Sequence, residues 1–193
     1  MSTPETAKTG RQGMLVEDAS GARFSPCRKY RYALWRRWDW QGFGNQVMFI
    51  GLNPSTADER KNDKTISNCI GFAKRWGYGG IVMMNLYPFR ATYPSDLIAC
   101  DAPTTPANLE AFGYYRTHVG LIVAAWGSLK VPWRPRMQWQ STIQNVLHAI
   151  SQPVYCLGRT KDGSPRHPSR LGYDRERELF WTPTSDEPVE HVR

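Results

Sequence analysis

The sequence predicts a three-layer α/β/α domain around a short central sheet that is mostly parallel. Four short apolar runs, at 47–51, 81–85, 121–126 and 154–158, lack the polar alternation of strands with a wet face, as strands covered on both faces do. The segments between them carry apolar residues at helical spacing. The resulting β-α-β-α-β-α-β order is that of right-handed crossovers feeding a parallel sheet.

Taken in order, residues 1–13 are polar and aperiodic and read as a flexible tail. Residues 28–40 interleave aromatic and basic side chains and read as strands or an edge hairpin with one wet face, turned by the glycine-rich stretch at 41–45. After the first apolar run, Ile66, Cys69, Ile70, Ala73 and Trp76 share one helical face, and Gly77 stands where a helix C-terminus favours glycine. Residues 108–118 and 137–150 predict two further helices, the latter burying Met137, Ile143, Val146, Leu147 and Ile150. Residues 175–193 mix charge with proline and predict a short helix and a loose end. The expected organisation is one domain over 14–180, between the tail and a loose C-terminal segment at 181–193.

A chain of 193 residues, 40% apolar and 22% charged, has enough core for one domain and is too rich in apolar residues for extended disorder. It lacks both a run of about 20 apolar residues and a secretory leader, so the expected location is the cytoplasm, with no membrane partner. Cys27, Cys69, Cys100 and Cys156 are scattered without metal-ligand spacing, so they are expected reduced and mostly buried, with no metal or cofactor. The net charge of +8 creates a field that attracts polyanions, which makes DNA a candidate partner; no obligate protein partner is evident.

Ligands of such sheets bind beyond the carboxyl ends of the strands. Those ends supply Asn53-Pro54-Ser55, Asn85-Leu86-Tyr87, Trp126-Gly127-Ser128 and the loop from Arg159 to Leu171: amides, hydroxyls, aromatic rings, an imidazole and cations.

Four of these segments, Gly51-Leu52-Asn53-Pro54-Ser55, Val82-Met83-Met84-Asn85, Ala125-Trp126-Gly127 and His167-Pro168-Ser169-Arg170-Leu171, occur in the order of motifs in the uracil-DNA-glycosylase-like superfamily, which the chain resembles. The block Gly51 to Asp58, with Ile70 to Gly77 and Asn85-Leu86-Tyr87, looks like Domain of Unknown Function 1643, over about Tyr30 to Tyr173.

The superfamily resemblance implies an enzyme that flips a base out of DNA and hydrolyses its N-glycosidic bond. Asn53 would position the attacking water, although an amide is no strong base; the mismatch-specific branch also carries Asn there. The alternative is an Asn that satisfies its own loop. Asn85, donor and acceptor, would read a flipped pyrimidine-type base or else cap a turn; Tyr87 beside it would stack on that base or else pack in the core. His167 would hold the charge developing on the leaving base. Ser55, Arg166, Ser169 and Arg170 would contact phosphates, and Leu171 would wedge into the vacated stack. Asp58 is a candidate general base; Asp63, directly before a helix, reads rather as its cap. Arg75 and Arg90 are further cations for phosphate. Trp126 reads as packing.

Three functions compete. One is a DNA glycosylase-like enzyme excising a damaged, mismatched or modified base, in repair or in defence against phage. The second is a module that recognises such bases without catalysis. The third is an enzyme acting on a free nucleoside or nucleotide.

Overall fold

The structure, a computed structural model, describes residues 19–39, 41–128 and 139–183. Its strands are β1 (Ser20–Phe24), β2 (Arg31–Arg37), β3 (Gly44–Gly51), β4 (Gly80–Asn85), β5 (Val119–Ala124), β6 (Val154–Cys156) and β7 (Glu178–Trp181). The helices are α1 (Lys64–Arg75), α2 (Pro94–Ala99), α3 (Pro106–Tyr115) and α4 (Trp139–Ile150).

All seven strands form one sheet in the order β1-β2-β4-β3-β5-β6-β7. The four apolar runs make its parallel centre, β4-β3-β5-β6. The flanks differ from expectation: β1–β2, β2–β4 and β6–β7 are antiparallel, so the sheet is mixed rather than mostly parallel. Only β1 and β2 are joined by a short turn, as a hairpin is; β2–β4 and β6–β7 bring together strands distant in sequence, whose antiparallel pairing the local patterns along the chain do not reveal.

Over its described part, 28–39, the aromatic and basic stretch is therefore not an edge hairpin. β2 lies inside the sheet between β1 and β4, and Arg31 and Arg36 on it are buried. At the other end of the chain, residues 175–177 form no helix, and β7 carries ordered structure past residue 180. The expected tail at 1–13, the chain end at 184–193 and Met137 lie outside the described residues.

Alternation along the central strands sends side chains to two cores. Val47, Phe49, Ile81, Met83, Leu121 and Val123 meet Ile66, Cys69, Phe72 and Ala73 of α1 on one face. Met48, Ile50, Val82, Met84, Ile122 and Ala124 meet Ala111 and Phe112 of α3 and Val146, Leu147 and Ile150 of α4 on the other. Burying each large aliphatic or aromatic side chain contributes about 1.5–3 kcal/mol, so these faces rather than helix propensity hold the helices.

The ends of α1 follow local chemistry. The Asp63 carboxylate accepts the Ile66 N–H at 2.9 Å, the N-cap expected from sequence. At the other end Gly77 takes φ +79°, and Tyr78 N–H returns to Ala73 C=O at 2.9 Å, satisfying a carbonyl the helix leaves open.

The cysteines are free, with Cys69 and Cys156 buried, Cys100 half-buried and Cys27 exposed. Among the described residues no helix is long and apolar enough to cross a membrane.

Candidate functional site

The carboxyl ends of β3, β4 and β5 open onto a cleft of about 220 Å³. Its polar lining comes from Arg31, Asn53, Ser55, Asp63, Thr65, Asn85 and His167; Leu52, Ile66, Met83 and Trp126 supply its apolar walls. Each strand-end motif thus contributes a residue, although the motifs are far apart in sequence.

Arg31 and Asn85 form the floor. The Arg31 guanidinium donates from Nη1 to Ala57 C=O at 3.0 Å and from Nη2 to Asn85 Oδ1 at 3.1 Å. Both residues are buried, and neither Arg31 Nε nor Asn85 Nδ2 has a protein acceptor. Burial pulls the guanidinium down to about 10, with Asp63 acting in the opposite sense, so Arg31 keeps its charge at neutral pH. The floor therefore holds a cation and, beneath the surface, two donors without a protein acceptor.

Two neighbours hold Asn85 in place. Asn108 donates to the carbonyls of Asn85 and Leu86 at 3.1 and 3.3 Å. Gly51 lies so close that a Cβ there would sit 2.8 Å from Asn85 Nδ2 and 2.6 Å from Met83 Cε, so a side chain would displace the amide.

In the first loop, Asn53 Nδ2 donates to Ala91 C=O at 2.7 Å and Pro54 C=O at 3.1 Å. Its amide hydrogens tie the loop to the segment after β4, and its carbonyl oxygen is the group left for a water. Asn53 thus braces its loop, as the alternative reading of the sequence has it, and lines the cleft.

The structure does not bring Asp58 into the cleft. Its carboxylate accepts the N–H groups of Arg60 at 2.9 Å and Lys61 at 2.8 Å, and these bonds hold it below the ordinary carboxylate range. Its loop is braced from β2, where Arg36 donates to Asp58 C=O at 2.6 Å and to Asn62 Oδ1 at 2.8 Å. The carboxylate that does line the cleft is Asp63, which combines this position with capping α1.

His167 faces the floor from the loop after β6. The Ser169 N–H, which can only donate, lies 3.2 Å from His167 Nδ1, and Ser169 Oγ lies 2.6 Å from it. Nδ1 is thus an acceptor, and the neutral ring carries its hydrogen on Nε2. Burial favours that neutral form by lowering the imidazole below its ordinary value. The loop is anchored by Asn68 of α1, which donates to Pro168 C=O at 3.2 Å. Gly127, at φ +79°, lets it approach, since a Cβ there would lie 3.3 Å from His167 Cβ.

The remaining expected residues are placed differently. Ser55 lines the cleft, whereas Ser169 orients His167. Arg166 is exposed and donates from Nε to Arg159 C=O at 3.1 Å; Arg170 is exposed at φ +68°; neither lines the cleft. Leu171 is half-buried against the α1-side core. Tyr87 does not line the cleft: it packs into the α3–α4 core, where burial raises its phenol and Thr142 of α4 is its polar neighbour. Trp126 walls the cleft and packs edge-on against Phe180 at 5.4 Å. Arg75 is exposed in the last turn of α1.

Arg31 and Asn68 escape a sequence reading. An arginine in an alternating stretch reads as the wet face of a strand, and only the position of β2 inside the sheet buries it.

No curated protein and no solved structure matches the chain. The family described as Protein of unknown function (DUF1643) matches residues 31–169, from Arg31 of the cleft floor to Ser169 behind the imidazole, and the chain belongs to that family.

Proposed function

We propose that the cleft receives a flipped, pyrimidine-type base and that the protein hydrolyses its N-glycosidic bond in DNA, as a uracil-DNA-glycosylase-like enzyme with that superfamily's three-layer fold. The observation that carries this reading is the convergence of Asn85, His167 and the Gly51–Ser55 loop on one small cleft over a buried cation. These are the motifs on which the superfamily resemblance rests.

The chemistry follows from the donors. A pyrimidine edge rich in carbonyl oxygens accepts from Asn85 Nδ2 and from His167 Nε2–H. As the bond from sugar carbon to base nitrogen breaks, its electron pair stays with the base. Arg31 and the imidazole donor stabilise that anion in a site with little water, where charges interact strongly. Asn53 Oδ1 orients a water toward the sugar carbon, and Asp63 takes the proton the water loses. This assignment moves the general base from Asp58 to Asp63, because only Asp63 lines the cleft.

A second reading is favoured by Asn53, whose amide hydrogens are committed to the loop. On that reading the cleft recognises a base without cleaving. Release of free base from DNA carrying uracil, mismatched or modified pyrimidines, scored as alkali-labile sites, separates the two. Release that disappears in His167→Ala supports the enzyme; base-selective binding without release by the wild type supports the module.

A further inference from the structure

We propose that a second groove, adjoining the cleft across Ser55, binds a phosphate ester of the ligand. The groove holds about 580 Å³, and its polar lining is Arg28, Lys29, Arg90 and the hydroxyl-bearing Ser55, Thr56 and Thr92. Ser55 lines both spaces, so a ligand can occupy them together.

The cations are held in place by the fold. The turn between β1 and β2 is zipped to the segment after β4: Arg31 N–H donates to Pro88 C=O and Arg90 N–H to Lys29 C=O, both at 2.9 Å, with Tyr30 and Phe89 bridged antiparallel between them. Phe24 gathers two guanidinium groups on its ring, with the Arg28 carbon 4.2 Å and the Arg90 carbon 5.0 Å from the centroid. Arg90 Nη1 also donates to Arg28 C=O at 3.3 Å, and Arg28 adopts φ +56°, uncommon for a residue with a side chain.

Gathering like charges on one ring costs Coulomb energy that the ring offsets only in part. One carboxylate answers them, Glu59, 2.7 Å from Arg28 in an exposed pair. Among the described residues neither Lys29 nor Arg90 has a carboxylate partner. A concave surface with two unanswered cations and three hydroxyl-bearing residues matches a phosphate's charge and acceptor oxygens. The phosphate is either a phosphodiester of a strand or the terminal phosphate of a nucleotide; the chemistry is the same.

The inference rests on the base-cleft reading only for what sits next door, and its test is binding rather than catalysis. The probes are a short fluorescein-labelled oligothymidylate, followed by anisotropy across a salt series, and thymidine 5′-monophosphate, followed by phosphorus NMR. Lys29→Ala combined with Arg90→Ala is expected to weaken the oligonucleotide about tenfold or more and to flatten its salt slope by about 0.7 for each phosphate no longer neutralised. Lys29→Glu, at an exposed side chain without a carboxylate partner, keeps the test valid if the double variant fails to fold. Lys74→Ala, at the far end of α1, should leave binding within twofold of wild type.

Equal dependence of the mononucleotide on these residues assigns a terminal phosphate, and dependence of the oligonucleotide alone assigns a phosphodiester. Wild-type affinity and slope in both groove variants, or no saturable binding of either probe to the wild type, would overturn the proposal. Groove-dependent binding that persists when no base is released would sink the enzyme reading and leave the groove standing.

Discussion

Arg31 Nη2 donates to Asn85 Oδ1 across 3.1 Å at the floor of the cleft, and both partners are buried. This bond fixes which way the Asn85 amide faces and leaves Nδ2 without a protein acceptor. Arg31→Ala strands both Asn85 Oδ1 and Ala57 C=O, and buried orphan acceptors cost about 1–3 kcal/mol each. We expect a loss of about 2–4 kcal/mol in denaturant unfolding together with loss of base binding. Arg31→Lys should rescue little, because a point charge cannot span two acceptors set for a planar fork. Wild-type stability in Arg31→Ala would remove Arg31 from the floor.

Gly51→Ala tests the same amide by crowding. The added methyl lies 2.8 Å from Asn85 Nδ2 and 2.6 Å from Met83 Cε. Overpacking of this kind costs about 1–3 kcal/mol. Ligand affinity should fall by far more than the loss of stability would explain, since the reading group itself is moved. Binding at wild-type strength in a folded Gly51→Ala would mean that Asn85 does not contact the ligand.

Asn53 makes an unusual prediction about an apparent improvement. An acid in this loop would supply a base, yet Asn53→Asp loses the donor to Ala91 C=O and turns a negative oxygen toward it. We expect a destabilisation of about 1–3 kcal/mol, as for Asn53→Ala or worse, with no gain in base release. A more active Asn53→Asp would show that the loop tie is dispensable.

The imidazole sets the pH response. Burial lowers His167 below its ordinary 6.5, so the unfolded chain binds a proton that the native ring resists. Its contribution to stability is complete above about 6.5 and is lost as pH falls through the depressed native value. Protonation would also force a hydrogen onto Nδ1, against the Ser169 N–H. Thermal melting of wild type and His167→Asn across this range should converge on acidification; parallel curves would contradict a buried neutral ring.

The legible and illegible parts of this protein divide along physical lines. The parallel centre, α1 with its Asp63 cap, and the meeting of Asn53, Asn85 and His167 followed from apolar runs, helical spacing and strand-end motifs, which are local signals. Arg31 did not, because a strand's charge pattern does not say whether the strand lies at an edge or inside. The choice between Asp58 and Asp63 was equally hidden: both follow the first loop, and only the fold shows that Asp58 folds back on Arg60 and Lys61. Tyr87 is a third case, since a residue just past a strand end turns toward the cleft or the core according to its neighbours.

The most direct measurement is release of free base from pyrimidine-modified DNA by wild type, Asp63→Asn and Asp58→Asn side by side. Asparagine caps a helix about as well as aspartate, so Asp63→Asn should keep α1 capped and the chain folded while losing the base and the charge that faces buried Arg31. We expect release by wild type and by Asp58→Asn, and a loss of about a hundredfold or more in Asp63→Asn, as when a general base is removed. Full release by Asp63→Asn, or its loss in Asp58→Asn alone, would contradict the assignment of the cleft as the place where the bond is cut.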